Sequence, residues 1–347
     1  MKDVKHILVT GGAGFIGSHL VERLLADGKT VVVIDDLSTG NLANLRAVEK
    51  HPRLRVIPSK ISACAELPKL AAQAESIYHL AATVGVELVL QSPIHVVETN
   101  RCETQLLLEA AAPHRVPLLL TSTSEVYGKS QKSAFSESDD LLIGPPTQSR
   151  WCYACAKLMD EFLALAYAKE RELPVVIVRL FNTVGRRQTG RYGMVLPRFI
   201  AAAQAGQPLR VYGDGEQTRC FCWVNDAVEA IVRLQNCAAA RGQIFNVGGT
   251  EEISIRDLAR LVIETLGSRS TIETVPYAQA YGAGFDDMRR RKPLVEKLSA
   301  TAGFCPATSL RDIIRRTAAA AAQPEFGVPP LGGIAPKPPE GGTPNQG

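Results

Sequence analysis

Residues 7–25 read ILVTGGAGFIGSHLVERLL. A β-rich apolar run, HILVT at 6–10, enters a turn with glycines at 11, 14 and 17, and a helical pattern leaves it. Gly11 permits the tight turn, Gly14 lets the backbone approach a pyrophosphate, and Gly17 lets helix and strand pack closely. The first turn of that helix offers unbonded N–H groups and the positive end of its dipole. A glycine pattern alone says little. In a strand–turn–helix context it predicts a dinucleotide cradle, with Phe15 and Ile16 in its wall.

The next strand ends at Asp35, 18 residues past Gly17. A carboxylate there accepts hydrogen bonds from an adenosine ribose and repels a 2′-phosphate. Asp36 follows, and no Arg or Lys lies between 35 and 45, so NAD is favoured over NADP.

Outward from this unit, near-continuous apolar runs at 30–34, 54–58, 76–81, 116–122 and 173–180 alternate with helical stretches at 92–112 and 149–171. Such runs suit a parallel sheet covered on both faces, and the alternation predicts a doubly wound Rossmann-type α/β domain over 1–180. Beyond it, helical patterns near 194–205, 225–236, 255–266 and 309–322 mix with short strands at LRVYG and IFNVG. They predict a smaller α/β substrate lobe over 181–322, with one segment returning to the large domain. Residues 323–347, dense in Pro and Gly, read as a disordered tail.

Composition narrows the function classes. With 39 basic and 35 acidic residues the net charge of +4 gives no argument for nucleic acid. No apolar run reaches the ~18 residues that span a bilayer, and no signal-peptide pattern opens the chain, so a cytoplasmic location is expected. Two close cysteine pairs invite a metal reading. Cys152 and Cys155 bracket Tyr153 on an expected helix, however, and Cys220 and Cys222 fall on an expected strand. No metal site is expected, and eight scattered thiols suit a reducing compartment.

Tyr153 and Lys157 sit four residues apart on the helical stretch 149–171, so their side chains stack on one face. Alone, that spacing is commonplace. Together with TGGAGFIGSHL, DDLSTG, YHLAA, TSTSEVYG, RLFNTVG, VYGDGEQTRCF and MRRRKP, it resembles the extended short-chain dehydrogenase/reductases, and among them the NAD-dependent nucleotide-sugar epimerases, dehydratases and decarboxylases. The resemblance covers about residues 5–320. It implies that Tyr153 takes a proton from a sugar hydroxyl, assisted by Lys157, which also holds the nicotinamide ribose, and by Thr123. It implies further cofactor contacts from Leu80, Ala81, Ala82 and Asn100. Lys60 stands where many relatives carry an Asp facing the adenine.

A 4-keto sugar formed this way can be epimerised, dehydrated or decarboxylated. The dehydratases resemble Thr-Asp-Glu where this chain has Thr123-Ser124-Glu125, so dehydration lacks its acid. Glu125, the Arg291-Lys292-Pro293 run and GPPTQSRW resemble UDP-glucuronate decarboxylases. RLFNTVGRRQTGRYGMVLPRFI resembles epimerases, and Arg191 or Arg187 would clamp a sugar carboxylate there. The sequence therefore favours carbon-4 epimerisation of a UDP-hexose or UDP-hexuronate, with UDP-glucuronate decarboxylation as the alternative. Substrate contacts are expected from Ser124, Asn182, Arg191, Tyr212, Arg219 and Arg291. Family members usually pair two helices per subunit, here 92–112 and 149–171, so a homodimer is expected.

Overall fold

The computed structural model describes residues 5–83, 89, 91–188, 194–276, 279 and 288–321. Arg191 and the tail at 323–347 lie outside the described residues. Six strands alternate with helices through the first half: β1 (His6–Thr10), β2 (Val31–Asp35), β3 (Leu54–Pro58), β4 (Ala74–His79), β5 (Leu118–Thr123) and β6 (Val175–Leu180). The helices between them are α1 (Phe15–Ala26), α2 (Leu67–Gln73), α3 (Pro93–Ala111) and α4 (Cys152–Arg171). Short strands follow at β7 (Thr183–Val184), β8 (Leu209–Tyr212), β9 (Thr218–Cys220), β10 (Cys222–Trp223), β11 (Gln243–Val247), β12 (Glu252–Ser254), β13 (Ile272–Val275) and β14 (Arg290–Arg291). With them come helices α5 (Val195–Gln204), α6 (Val224–Asn236), α7 (Ile255–Leu266), α8 (Glu296–Ala302) and α9 (Leu310–Ala321).

The main sheet has seven parallel strands in the order β11-β6-β5-β4-β1-β2-β3. The returning segment is β11, the IFNVG run, which pairs in parallel with β6 from Gln243↔Val176 to Val247↔Leu180. All five residues of β1 are buried, as a central strand covered on both faces requires. On one face Leu20, Val21 and Leu24 of α1 pack with Ile231 and Leu234 of α6. On the other, Leu107 and Leu108 of α3 meet Ala164 of α4 and Leu70 of α2. Each fully buried aliphatic side chain contributes about 1.5–3 kcal/mol. A second core, with Phe199, Leu258 and Ile313, joins α5, α7 and α9 around the short β8–β13 pair.

β1 lies between β2 and β4, where the strand order reverses, and the carboxyl ends of strands flanking such a point open a crevice for a ligand. Two boundaries differ from the sequence pattern for local reasons. β4 ends at His79, short of 81, because Leu80 and Ala81 bend beneath the glycine turn, with the Leu80 N–H bonded to the Thr10 carbonyl. The long helix starts at Cys152, preceded by a single 3₁₀ turn, Ser149–Trp151, that buries Arg150 and Trp151.

Candidate active site

The glycine turn is tight enough to exclude side chains. A Cβ on Gly11, whose φ is +72°, would lie 2.6 Å from the Ala81 amide nitrogen, and one on Gly17 only 2.0 Å from the Gly11 carbonyl oxygen. One cleft at the carboxyl ends of the strands is lined by Gly11, Gly14, Phe15, Ile16, Gly17, Asp35, Asp36, Leu80, Ala81, Ala82 and Asn100, with Lys60 on the same wall. Asp35 is buried. Its carboxylate accepts the N–H of Ala13 at 2.8 Å and of Leu37 at 2.9 Å. Burial raises its pKa and these backbone donors pull it back. Each oxygen keeps a lone pair for a ribose hydroxyl. The Asn100 amide pins the loop after β4, accepting from the Thr83 N–H at 2.8 Å and donating to the Thr83 carbonyl at 3.2 Å. A cradle that a single Cβ would fill, with a buried carboxylate at the adjacent strand end, fits NAD.

A second set of groups gathers around the carboxyl end of β5. Thr123 closes that strand, and its hydroxyl oxygen accepts the Glu125 N–H at 3.2 Å, which leaves its own proton to donate. Ser124 is buried. The Glu125 carboxylate is gripped from two sides, by Arg150 Nη1 at 2.8 Å and Arg291 Nη2 at 3.2 Å. Burial pushes Glu125 up, but the two guanidiniums outweigh it and bring its pKa down to about 2. Tyr153 lies in the first turn of α4, packed with Val89 and Val96. Burial raises its pKa, Glu125 and Asp160 raise it further, and Arg291 opposes them. Lys157, one turn on, donates to Asp160 Oδ2 at 2.9 Å.

The remaining substrate-side residues are engaged within the protein. Asn182, at φ +33°, donates its amide to the Cys220 carbonyl at 2.9 Å. Arg198 donates to the Tyr212 hydroxyl and stacks its guanidinium 4.5 Å over that ring. Arg219 is buried and donates to the Thr218 carbonyl at 2.8 Å. Arg187, one of the two expected carboxylate clamps, instead bonds Glu22 and Ser18 on α1. Arg150 was not expected in the site, although it lies within the GPPTQSRW run that resembles the decarboxylases. That run ends directly ahead of α4 and places Arg150 three residues before Tyr153.

The comparisons fix the class. The model of the NAD dependent epimerase/dehydratase family matches residues 7–248, and the chain belongs to that family. It is therefore an NAD-dependent enzyme fold of the nucleotide-sugar type. It is 40% identical to a UDP-N-acetyl-alpha-D-glucosaminuronate decarboxylase of Bacillus cytotoxicus over 314 residues, covering 90% of this chain and 96% of that protein. It is 35% identical to UDP-glucuronic acid decarboxylase 1 of Danio rerio, over 91% of this chain and 72% of that one. Among solved structures, a variant of the UDP-glucuronic acid 4-epimerase of Bacillus cereus, in complex with NAD and a fluorinated UDP-sugar, superposes with a TM-score of 0.81 at 31% identity, over 91% and 98% of the two chains. The two relatives by sequence named above are decarboxylases and an epimerase stands among the structural neighbours, so the epimerase reading favoured by the sequence has no advantage over the alternative.

Proposed function

We propose that the chain is an NAD-dependent decarboxylase of a UDP-hexuronate, rather than the carbon-4 epimerase its sequence favours. The observation that carries this reading is the Glu125 carboxylate held between Arg150 and Arg291 next to Tyr153. An epimerase acting on a uronate must clamp the sugar carboxylate so that it is kept. Among the described residues, the guanidiniums of Arg150 and Arg291 near the phenol are bonded to a carboxylate of the protein, and Arg187 is bonded to α1. Glu125 stays an anion at neutral pH, and a second carboxylate brought near it is destabilised relative to departing, neutral carbon dioxide. The decarboxylase relatives support the same choice.

When bound, NAD accepts and later returns a hydride at sugar carbon 4. Tyr153 takes the carbon-4 hydroxyl proton and gives it back, and the Thr123 hydroxyl donates to the same oxygen. With carbon 4 a ketone, the carboxylate is β to it. The bond between carbons 5 and 6 breaks, its electron pair moves into the carbonyl, carbon dioxide leaves, and carbon 5 takes up a proton. Lys157 assists the phenol, while Tyr212, Arg219, Asn182 and Arg191 serve the nucleotide-sugar end, within a substrate lobe over 181–322. Incubation with UDP-glucuronate and with UDP-N-acetylglucosaminuronate, without added NAD, tests the reading by mass spectrometry together with NMR, which separates epimers. Loss of one carbon dioxide from either substrate is expected. An isomer of unchanged mass returns the epimerase, and no product from either sugar overturns both.

The chain is also read as a homodimer. Helices α3 and α4 pack side by side and expose Ile94 (73%), Phe162 (65%), Met159 (55%) and Val97 (38%), an apolar face suited to the same helices of a second copy. Phe162→Glu is expected to shift the protein from dimer to monomer in sedimentation velocity, and a monomeric wild type sinks this assignment. All eight cysteines are free thiols, and none of the described helices is long and apolar enough to cross a membrane. We propose a cytoplasmic location, since eight free thiols suit a reducing compartment.

A further inference from the structure

Lys157 and Asp160 are three residues apart on α4, and each is 1% exposed. The ammonium donates to Asp160 Oδ2 at 2.9 Å, whereas Oδ1 of the same carboxylate is buried and accepts no hydrogen bond among the described residues. A buried ion pair with one oxygen unsatisfied is a poor source of stability, since desolvation of two charges is only partly offset. Its placement points to electrostatics instead. Among the described residues, Glu125 from the turn after β5, Asp160 from its own helix and Arg291 from β14 act on Tyr153, and Lys157 lies one turn along the same helix face. His79 of β4 lies within electrostatic reach of Lys157, held between the hydroxyls of Thr10 at 2.7 Å and Thr104 at 3.0 Å. Burial and the Lys157 charge lower the His79 pKa to about 3, so it brings no charge of its own at neutral pH.

We propose that Asp160 is a positioning residue that holds the Lys157 ammonium one turn from Tyr153 and, by offsetting its charge, sets how readily the phenol releases its proton. The proposal rests on Tyr153 being the base. An unpaired ammonium so close would make Tyr153 a stronger acid in the resting enzyme. Paired, it leaves the phenol protonated until cofactor and substrate occupy the cleft.

The test follows enzyme-bound NADH after mixing the NAD-loaded protein with UDP-hexuronate, across pH. In that step the hydroxyl proton passes to Tyr153 and the carbon-4 hydrogen leaves with its electron pair to the cofactor, whichever product forms later. Asp160→Asn is expected to move the acid limb of the rate down by about one pH unit. Asp160→Ser removes the same charge with less volume, and serves if the amide variant does not fold. Asp160→Glu keeps the charge and is expected to bring the limb back toward wild type. Without substrate, tyrosinate absorbance, taken as the difference from the matching Tyr153→Phe protein, should rise at lower pH in the neutral variants. A residue serving packing alone would lower the melting temperature and leave the limb in place, and an unmoved limb in both neutral variants overturns the proposal. NADH formation that survives Tyr153→Phe would instead overturn the assignment of the base.

Discussion

Tyr153→Phe is expected to lower turnover by about 10³-fold or more while NAD remains bound. The substitution removes one oxygen and keeps the ring. The packing of residue 153 with Val89 and Val96 is therefore retained, and the melting temperature should barely change. On the proposed mechanism, what disappears is the acceptor for the sugar hydroxyl proton, without which hydride loss from carbon 4 would leave a protonated carbonyl. The glycine turn and Asp35 belong to the β1–α1–β2 unit and do not depend on the phenol. Turnover by product mass, and nucleotide released on denaturation, separate the two effects. Turnover near that of the wild type removes Tyr153 from the chemistry, whereas loss of bound NAD together with activity would mean that the phenol holds the cofactor.

Much of this frame is legible in the sequence because its physics is local. Three glycines at fixed spacing between an apolar run and a helix allow few other readings, and the near-continuous apolar runs report a sheet covered on both faces. The IFNVG run shows as a strand, but that it closes the edge of the main sheet beside β6 depends on a partner more than sixty residues earlier, which no local pattern encodes. The charged cluster was less legible. Lys157 and Asp160 have a spacing that stabilises many exposed helix faces, and only burial makes the pair unusual. Arg150 lies in a 3₁₀ turn with no period, and Arg291 on a two-residue strand. Their convergence on Glu125 is a product of tertiary packing. Arg187 shows the converse. Its neighbourhood suggested a sugar carboxylate, and the fold brings Glu22 of α1 to it first.

Glu125→Gln is expected to divide the reaction. Hydride transfer at carbon 4 should persist, because Tyr153 and Thr123 remain, with its acid limb moved to lower pH as the Glu125 charge on the phenol is removed, while carbon dioxide release falls by about 10²-fold. KM for the uronate should fall as well. Arg150 and Arg291 would then face a neutral amide, and a substrate carboxylate becomes the anion best placed to satisfy them. A lower kcat joined to a lower KM marks the loss of ground-state destabilisation, and a merely misshapen site would raise KM. The fold also weakens. Removing the anion leaves two guanidiniums, 5% and 12% exposed, without their carboxylate, a cost of about 3 kcal/mol. The pH dependence of that cost follows from linkage. The folded pKa of Glu125, about 2, lies below its ordinary value of 4.5, so the pair stabilises the protein fully above the ordinary value and loses that contribution as pH falls toward the folded one. The difference in melting temperature between wild type and Glu125→Gln should therefore be largest near neutrality and shrink below about pH 4.5. Carbon dioxide release at the wild-type rate with KM unchanged would show that the Glu125 anion takes no part in expelling the carboxylate, and the decarboxylase reading would lose the observation it rests on.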